Sequence, residues 1–303
     1  MLVWVVYFFI YAFVGWIYES IYVSIKLKKL TNRGFMHGPI IPIYGFGGII
    51  CVFCGIYSNQ NLIYTVIAAV IICTSMELFT GITMEELFKV RYWNYDRYRF
   101  NIRGYICPQV SLVWAFMAFL VNIIVQPFVV DLVNELSKPF INWFGITIII
   151  FSLIDSIIAY SEAIDLRATY EEFTDNNKNL ILLQQKIDNM QIELGDNIDD
   201  IKDKLKEISN EARSSLFTFR INGNIYLQNS KQVERLSAVK NRLSNIDSDR
   251  LSDLLEEIDT IQIKLRSSLN KNHSKAKNIL KRNPESISTR IEKQIKKYSH
   301  KEL

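Results

Sequence analysis

KVRYWNYDRYRFNIRGYICPQ, residues 89–109, is the stretch on which the reading of this chain turns. It holds five basic residues, six aromatics, two asparagines, a glycine and a proline, and it connects two long apolar runs. Those runs, 62–88 before it and 110–130 after it, are long enough to cross a ~30 Å hydrocarbon layer as helices. A connector so rich in Arg, Tyr and Trp suits a membrane–water boundary, where aromatic rings sit among headgroups and basic loops stay cytoplasmic. Asn101-x-x-Gly104 reads as a turn that folds the connector back toward the run that follows.

Working outward, three further apolar runs occupy 2–25, 40–57 and 140–164. The first lacks a basic leader and a small-residue cleavage site, so it reads as a retained membrane helix rather than a secretory signal. The expected fold class is all-α: a polytopic membrane bundle of about five transmembrane helices over residues 1–165, followed by a cytoplasmic helical hairpin or coiled coil over 166–270 and a basic tail over 271–303. The formal charge of +4 averages two unlike halves. Residues 1–165 carry ten basic and ten acidic side chains, and residues 166–303 carry 25 and 21 with no apolar run longer than four. The links after the first and third runs hold nine Lys and Arg, and those after the second and fourth hold one. This asymmetry places the basic links and the C-terminal half in the cytoplasm and the N-terminus outside.

Ionisable residues inside membrane helices are costly and generally face the bundle interior. Glu19, Glu77 and Asp155 fall on the cytoplasmic side of their runs at similar depth, which suggests an inward-facing polar pocket. Arg91, Arg97, Arg99 and Arg103 emerge on that side and are natural counter-ions. Glu162 lies nearer the surface, where it can snorkel. HGPIIPIYG, residues 37–45, makes a tight re-entry into the membrane, with prolines tolerated at a helix start. His37 stands at the interface as a hydrogen-bonding or proton-handling group. Four cysteines lie in or beside apolar runs and read as small core-filling residues; Cys51 and Cys54 have CxxC spacing but no second ligand pair. No metal-ligand, cofactor or nucleophile–base pattern is present, so no catalytic residue, metal or cofactor is assigned.

In the polar half, apolar residues recur with a 3–4 spacing at 180–194, at 198–212 and again over 233–265, the pattern of a helical seam. Asn222-Gly223 offers a turn between the two stretches. The basic end, with Ile287, Ile291 and Ile295 on one helical face, suits an anionic lipid surface. Nucleic acid is disfavoured because stacking aromatics are almost missing there.

GWIYES (15–20), RGFMHGPIIPIYGFGG (33–48), MELFTG (76–81) and RYWNYDRYRFNIRGYICP (91–108) resemble the bacterial ABC-transporter type IV family, the CmpB-like membrane proteins. The family's loop pattern is W-D-Y-S followed by N-x-x-G. Here it reads Trp93-Asn94-Tyr95-Asp96, then Asn101 to Gly104, so either a fixed charge at position 94 is not essential or Asp96 substitutes for it. KAKNILKRNP (275–284) echoes the family's common ending. The resemblance implies a transporter permease in the bacterial plasma membrane. The chain has no P-loop motif, so an ATP-driven role calls for a separate ATP-binding subunit, and it has no evident E-A-A-type coupling loop. Three functions stay open: a permease-like component whose pocket includes Glu19, His37, Glu77, Asp155 and the loop residues Arg91, Trp93, Asn94, Tyr95, Asp96, Asn101, Arg103 and Gly104; a membrane-anchored scaffold or sensor that self-associates through its coiled coil; and a membrane enzyme acting on a lipid head group.

Overall fold

The computed structural model describes residues 2–189, 203, 224–244, 252–269, 274–284 and 286–288. Helices dominate them, in the order α1 (Leu2–Leu27), α2 (Pro42–Tyr57), α3 (Leu62–Phe88), α4 (Pro108–Leu120), α5 (Gln126–Asn134), α6 (Lys138–Asn189), α7 (Asn224–Leu243), α8 (Ser252–Leu269) and α9 (Ser274–Arg282). Four spans, Leu2–Leu27, Leu62–Phe88, Pro108–Asn134 and Lys138–Leu180, are long and apolar enough to cross a bilayer. The protein is a multi-pass membrane protein. The described residues divide into one compact unit of Met1–Ile164 with Asn278–Ile287 and a second of Asp165–Lys277 with Ser288–Leu303.

In the first unit, α2 has 16 residues, about 24 Å at 1.5 Å per residue, and is shorter than the four spans. It runs antiparallel to α1. Tyr44 packs over Gly15, Tyr11 over Gly48, and Trp4 stacks on Phe53 with ring centroids 4.8 Å apart. Glycines at these positions let the two backbones approach where rings fill the remaining space. The core beneath is built from Val6, Tyr7, Tyr11, Cys51, Val52, Ala69, Cys73, Trp114 and Ala118. All four cysteines are free, buried thiols, as core-filling residues should be.

Helix boundaries follow local chemistry. Asn61 caps α3 by accepting the Tyr64 amide at 3.3 Å. Lys89 ends it in a left-handed conformation, φ 55°. Pro42 and Pro108 sit at helix starts, where a missing N–H costs nothing. The fourth span ends later than the sequence suggests, because the expected link at 131–134 continues as helix. Pro127 has no N–H to offer the preceding turn, and the chain answers with a single π turn at Val121–Val125. There Asn122 donates to the carbonyls of Ala118, 2.9 Å, and Cys51, 3.1 Å, which ties the turn to α2. The fifth run is likewise longer than expected, starting at Lys138 and continuing without a break past Ile164.

In the second unit, α7 and α8 pack against each other. Leu236 and Val239 on one and Leu254, Ile258, Ile261 and Leu265 on the other are buried. Lys240 Nζ meets Asp259 Oδ1 at 2.5 Å, and Gln262 donates to Ser237 at 3.2 Å. Asp165 accepts the amide of Ala276 at 2.9 Å, in the first turn of α9. The seam positions 190, 194, 198, 201, 205, 208, 212 and 251, the turn at 222–223, and Ile291 and Ile295 lie outside the described residues, while Ile287, expected on a helical face, lies in a two-residue strand, Ile287–Ser288.

Candidate functional site

The link between α1 and α2 is not a simple surface connector. After Lys28 the chain turns back and runs as irregular, bent backbone along α1. The amide of Thr31 donates to Ser24 Oγ at 2.9 Å, that of Arg33 to Ser20 Oγ at 3.1 Å, and that of Ile41 to the Ala12 carbonyl at 3.1 Å. From residue 31 to residue 41 the link retraces twelve residues of α1, about 18 Å of helix. Non-helical backbone at membrane depth is tolerated only where protein satisfies it. Two serines and a carboxylate do so here.

That carboxylate is Asp155 of α6. It accepts the amide of His37 at 3.0 and 3.1 Å, the amide of Gly38 at 2.8 Å, and faces His37 Nδ1 at 2.9 Å. His37 Nε2 in turn faces Glu162 Oε1 at 3.2 Å. Glu162 is buried rather than snorkelling to the surface. Its other oxygen takes a 2.6 Å hydrogen bond from Arg282, and Asn278 donates to Oε1 at 3.3 Å. Arg282 also donates to the Phe35 carbonyl, while Asn283 donates to the Gly34 carbonyl at 2.8 Å and accepts from Arg33 Nη1 at 2.9 Å. Residues 278–283, expected in a basic tail, are therefore part of the membrane unit. Ion pairing and backbone capping keep this stretch there, and its net charge gave no hint of either.

A second cluster lies on the other side of Arg33. Glu19 Oε1 accepts from Tyr44 Oη at 2.7 Å, and its Oε2 lies 3.8 Å from Arg33 Nε. The Arg33 guanidinium also reaches the Tyr92 carbonyl at 3.2 Å. Glu77, only 6% exposed, accepts from Trp114 Nε1 at 2.8 Å and from Tyr95 Oη at 3.3 Å. The rings of Tyr44 and Trp114 lie 5.9 Å apart and join the two carboxylates' partners. Burial, then the negative charges of Glu77 and Glu19, push the Tyr95 phenol well above its ordinary range, so Tyr95 stays a neutral donor.

The connector 89–109 folds onto α3 as a compact loop. Trp93 packs on Gly81 and donates to the Tyr105 carbonyl at 3.0 Å. The Tyr95 amide bonds the Gly104 carbonyl at 2.9 Å, and Asn101 Oδ1 accepts the Gly104 amide at 2.9 Å, which makes the turn expected of Asn101-x-x-Gly104. Asn101 also donates to the carbonyls of Asp96 and Tyr98. Asn94 and Asp96 bond one another and fill the space above Gly104, whose φ is +73°. A Cβ there would be strained by its backbone angle and would stand 2.4 Å from Asp96 Oδ1. Gly104→Ala should therefore loosen the loop and raise the rate at which a protease cuts between 94 and 104 in detergent. Unchanged cleavage would show that the loop does not depend on this turn.

The loop arginines do not serve as counter-ions to the deep carboxylates. Arg91 bonds Glu85 at 2.5 Å, lies 3.6 Å from Asp96 and stacks over Tyr105, while Arg97, Arg99 and Arg103 are exposed. Burial and Glu85 raise the Tyr105 phenol, against the opposing pull of Arg91. Neutral indole and phenol groups, together with Arg33, take the place expected of the arginines. The structure thus joins Glu19, Glu77 and Tyr95 around one end of the bundle, and His37 with Asp155 and Glu162 beside it, while Trp93 packs on Gly81 and bonds Tyr105 within the loop. Asn94, Asp96, Asn101 and Gly104 shape the loop and do not touch either set of carboxylates. Sequence reading missed Arg33, Tyr44, Trp114, Arg282 and Asn283. Trp114 and Tyr44 carry a polar tip within apolar runs, the one available sign that each needs a buried partner. A separate groove of about 690 Å³, lined by Ile50, Phe53, Tyr57, Tyr64 and Ile72 among others, shares no residue with these clusters.

The family described as "Putative ABC-transporter type IV" matches residues 6–160 of the chain. No curated protein and no solved structure matches the chain.

Proposed function

Because this chain belongs to the family described as "Putative ABC-transporter type IV", we propose that it is the permease-like component of a transporter whose solute-handling site is the Glu19–Arg33–Tyr44 and Glu77–Trp114–Tyr95 cluster. The observation that supports this reading most is Glu77. A carboxylate inside an apolar helix, nearly sealed from solvent, is held by neutral donors and not by a cation. Such a group is expensive to keep in a membrane and usually marks a pathway or binding site. One of its two donors, Tyr95, comes from the connector, so movement of that loop would uncover the carboxylate. The connector then acts as a gate. Aromatic walls around two acids and one base suit a solute with a cationic or hydrogen-bond-donating group.

On this reading the site opens to the cytoplasm, the N-terminus is outside, and the protein resides in a bacterial plasma membrane, as the distribution of Lys and Arg favours. Energy would come from a separate ATP-binding subunit. Purification of the tagged protein in mild detergent, with mass spectrometry of what accompanies it, tests this directly. An ATPase in stoichiometric amount, whose ATP turnover drops at least tenfold with Glu77→Gln, is the expected result. A complex without any nucleotide-binding protein would sink the ATP-driven version.

A further inference from the structure

We infer that the membrane unit binds a proton at the Asp155–His37–Glu162 triad, as an imidazolium on His37. The inference needs neither the solute site nor an ATPase. It follows from counting donors and acceptors. Both ring nitrogens of His37 face carboxylate oxygens, Nδ1 on Asp155 at 2.9 Å and Nε2 on Glu162 at 3.2 Å. A neutral imidazole has one N–H, and an ionised carboxylate can only accept. One of the two contacts is therefore a bare lone pair against an oxygen anion, unless an additional proton is present.

The surroundings say where that proton resides. Asp155 already accepts two backbone amides, those of His37 and Gly38. Glu162 already accepts from Arg282 at 2.6 Å and from Asn278 at 3.3 Å. Each carboxylate therefore already serves as an acceptor of N–H donors, which leaves the imidazole as the group that carries the proton. The charge count agrees. Facing the site are Asp155 and Glu162 from α6, His37 from the arm and Arg282 from α9; Glu19 of α1 is taken up by Arg33 on the far side of the arm. With His37 protonated, two anions meet two cations. Without it, a net negative charge is left among side chains of which Glu162 is only 4% exposed and Arg282 8%. Uncompensated buried charge is strongly unfavourable.

His37 itself is 39% exposed, so a proton can reach it without opening the bundle. Its loss would remove one of the contacts that hold the re-entrant arm to α6, and the arm carries Arg33. The triad is thereby a proton site mechanically joined to the neighbouring cluster.

The test is nitrogen NMR of the full-length protein in nanodiscs, with ring-labelled histidine. The chain has three histidines, so His273→Gln and His300→Gln leave His37 as the only signal. At pH 7.5 a free imidazole is mostly neutral. The expected spectrum shows a proton on both ring nitrogens. In Glu162→Gln, or in Glu162→Asp should the first variant fail to fold, the Nε2 proton signal is expected to be lost or its occupancy to fall at least threefold. A neutral ring with one bare nitrogen in the parent protein would overturn the inference. A doubly protonated ring that neither Glu162 variant alters would overturn the role given to Glu162.

Discussion

Arg282→Met is expected to destabilise the membrane unit by about 3 kcal/mol, the low end of the range for removing one partner of a buried ion pair. The residue lies some 120 positions from its partner Glu162, and in sequence it belongs to a basic tail. Both side chains are almost fully covered, at 8% and 4% exposure. Taking away the guanidinium leaves Glu162 with Asn278 and His37, which moderates the loss without abolishing it. The Phe35 carbonyl loses a donor as well. Thermal unfolding in detergent should show the drop, and Glu162→Met combined with Arg282→Met should recover most of it, since two apolar groups of similar volume need no partners. A loss below about 0.5 kcal/mol, the scale of an exposed pair, would mean that residues 278–283 do not belong to the membrane unit.

Gly48→Val should have an effect of the same size through packing alone. A Cβ at this position would stand 2.4 Å from Tyr11 Cγ and 2.8 Å from Tyr11 Cβ. Those atoms are the root of the ring, fixed to the α1 backbone, so they cannot swing aside. The Tyr11 hydroxyl is also tied to Gln126 of α5. Relief requires α1 and α2 to separate, and overpacking of this kind costs up to about 3 kcal/mol. Gly145→Ala is the control: its Cβ would meet Leu2 at 3.6 Å, an ordinary contact, and alanine improves helix propensity by about 1 kcal/mol. Melting curves of the two variants should move in opposite directions. If Gly48→Val melts with the parent protein, the close approach of α1 and α2 is not required.

Membrane class was legible in the sequence because apolar length is a local property. The carboxylates Glu19, Glu77 and Asp155 were legible as interior groups for a related reason: a charge in an apolar run must find shelter. Their partners were not. Arg33 looks like one more basic residue in KLKKLTNR, and nothing local separates it from Lys28 or Lys29, yet it is the cation that joins Glu19 to Asn283. Arg91, Arg97, Arg99 and Arg103 looked better placed, but turn geometry around Asn101 and Gly104 directs them elsewhere. Pro127, within the fourth run, is accommodated by a π turn at Val121–Val125.

The sequence by itself determined that the chain carries helices apolar enough to cross a membrane, and which residues are too polar to face lipid. Length and transfer energy set those outcomes residue by residue. The tertiary structure alone decided that the link after α1 folds back along it, that His37 bridges Asp155 and Glu162, and that Arg282 and Asn283 complete the unit from 120 to 250 positions away. Pairings of that kind depend on three-dimensional distance between groups whose own neighbours in the chain look ordinary. The crowded connector at 89–109 shows both sides: its composition announced a boundary, and only packing showed that Tyr95 reaches through it to Glu77.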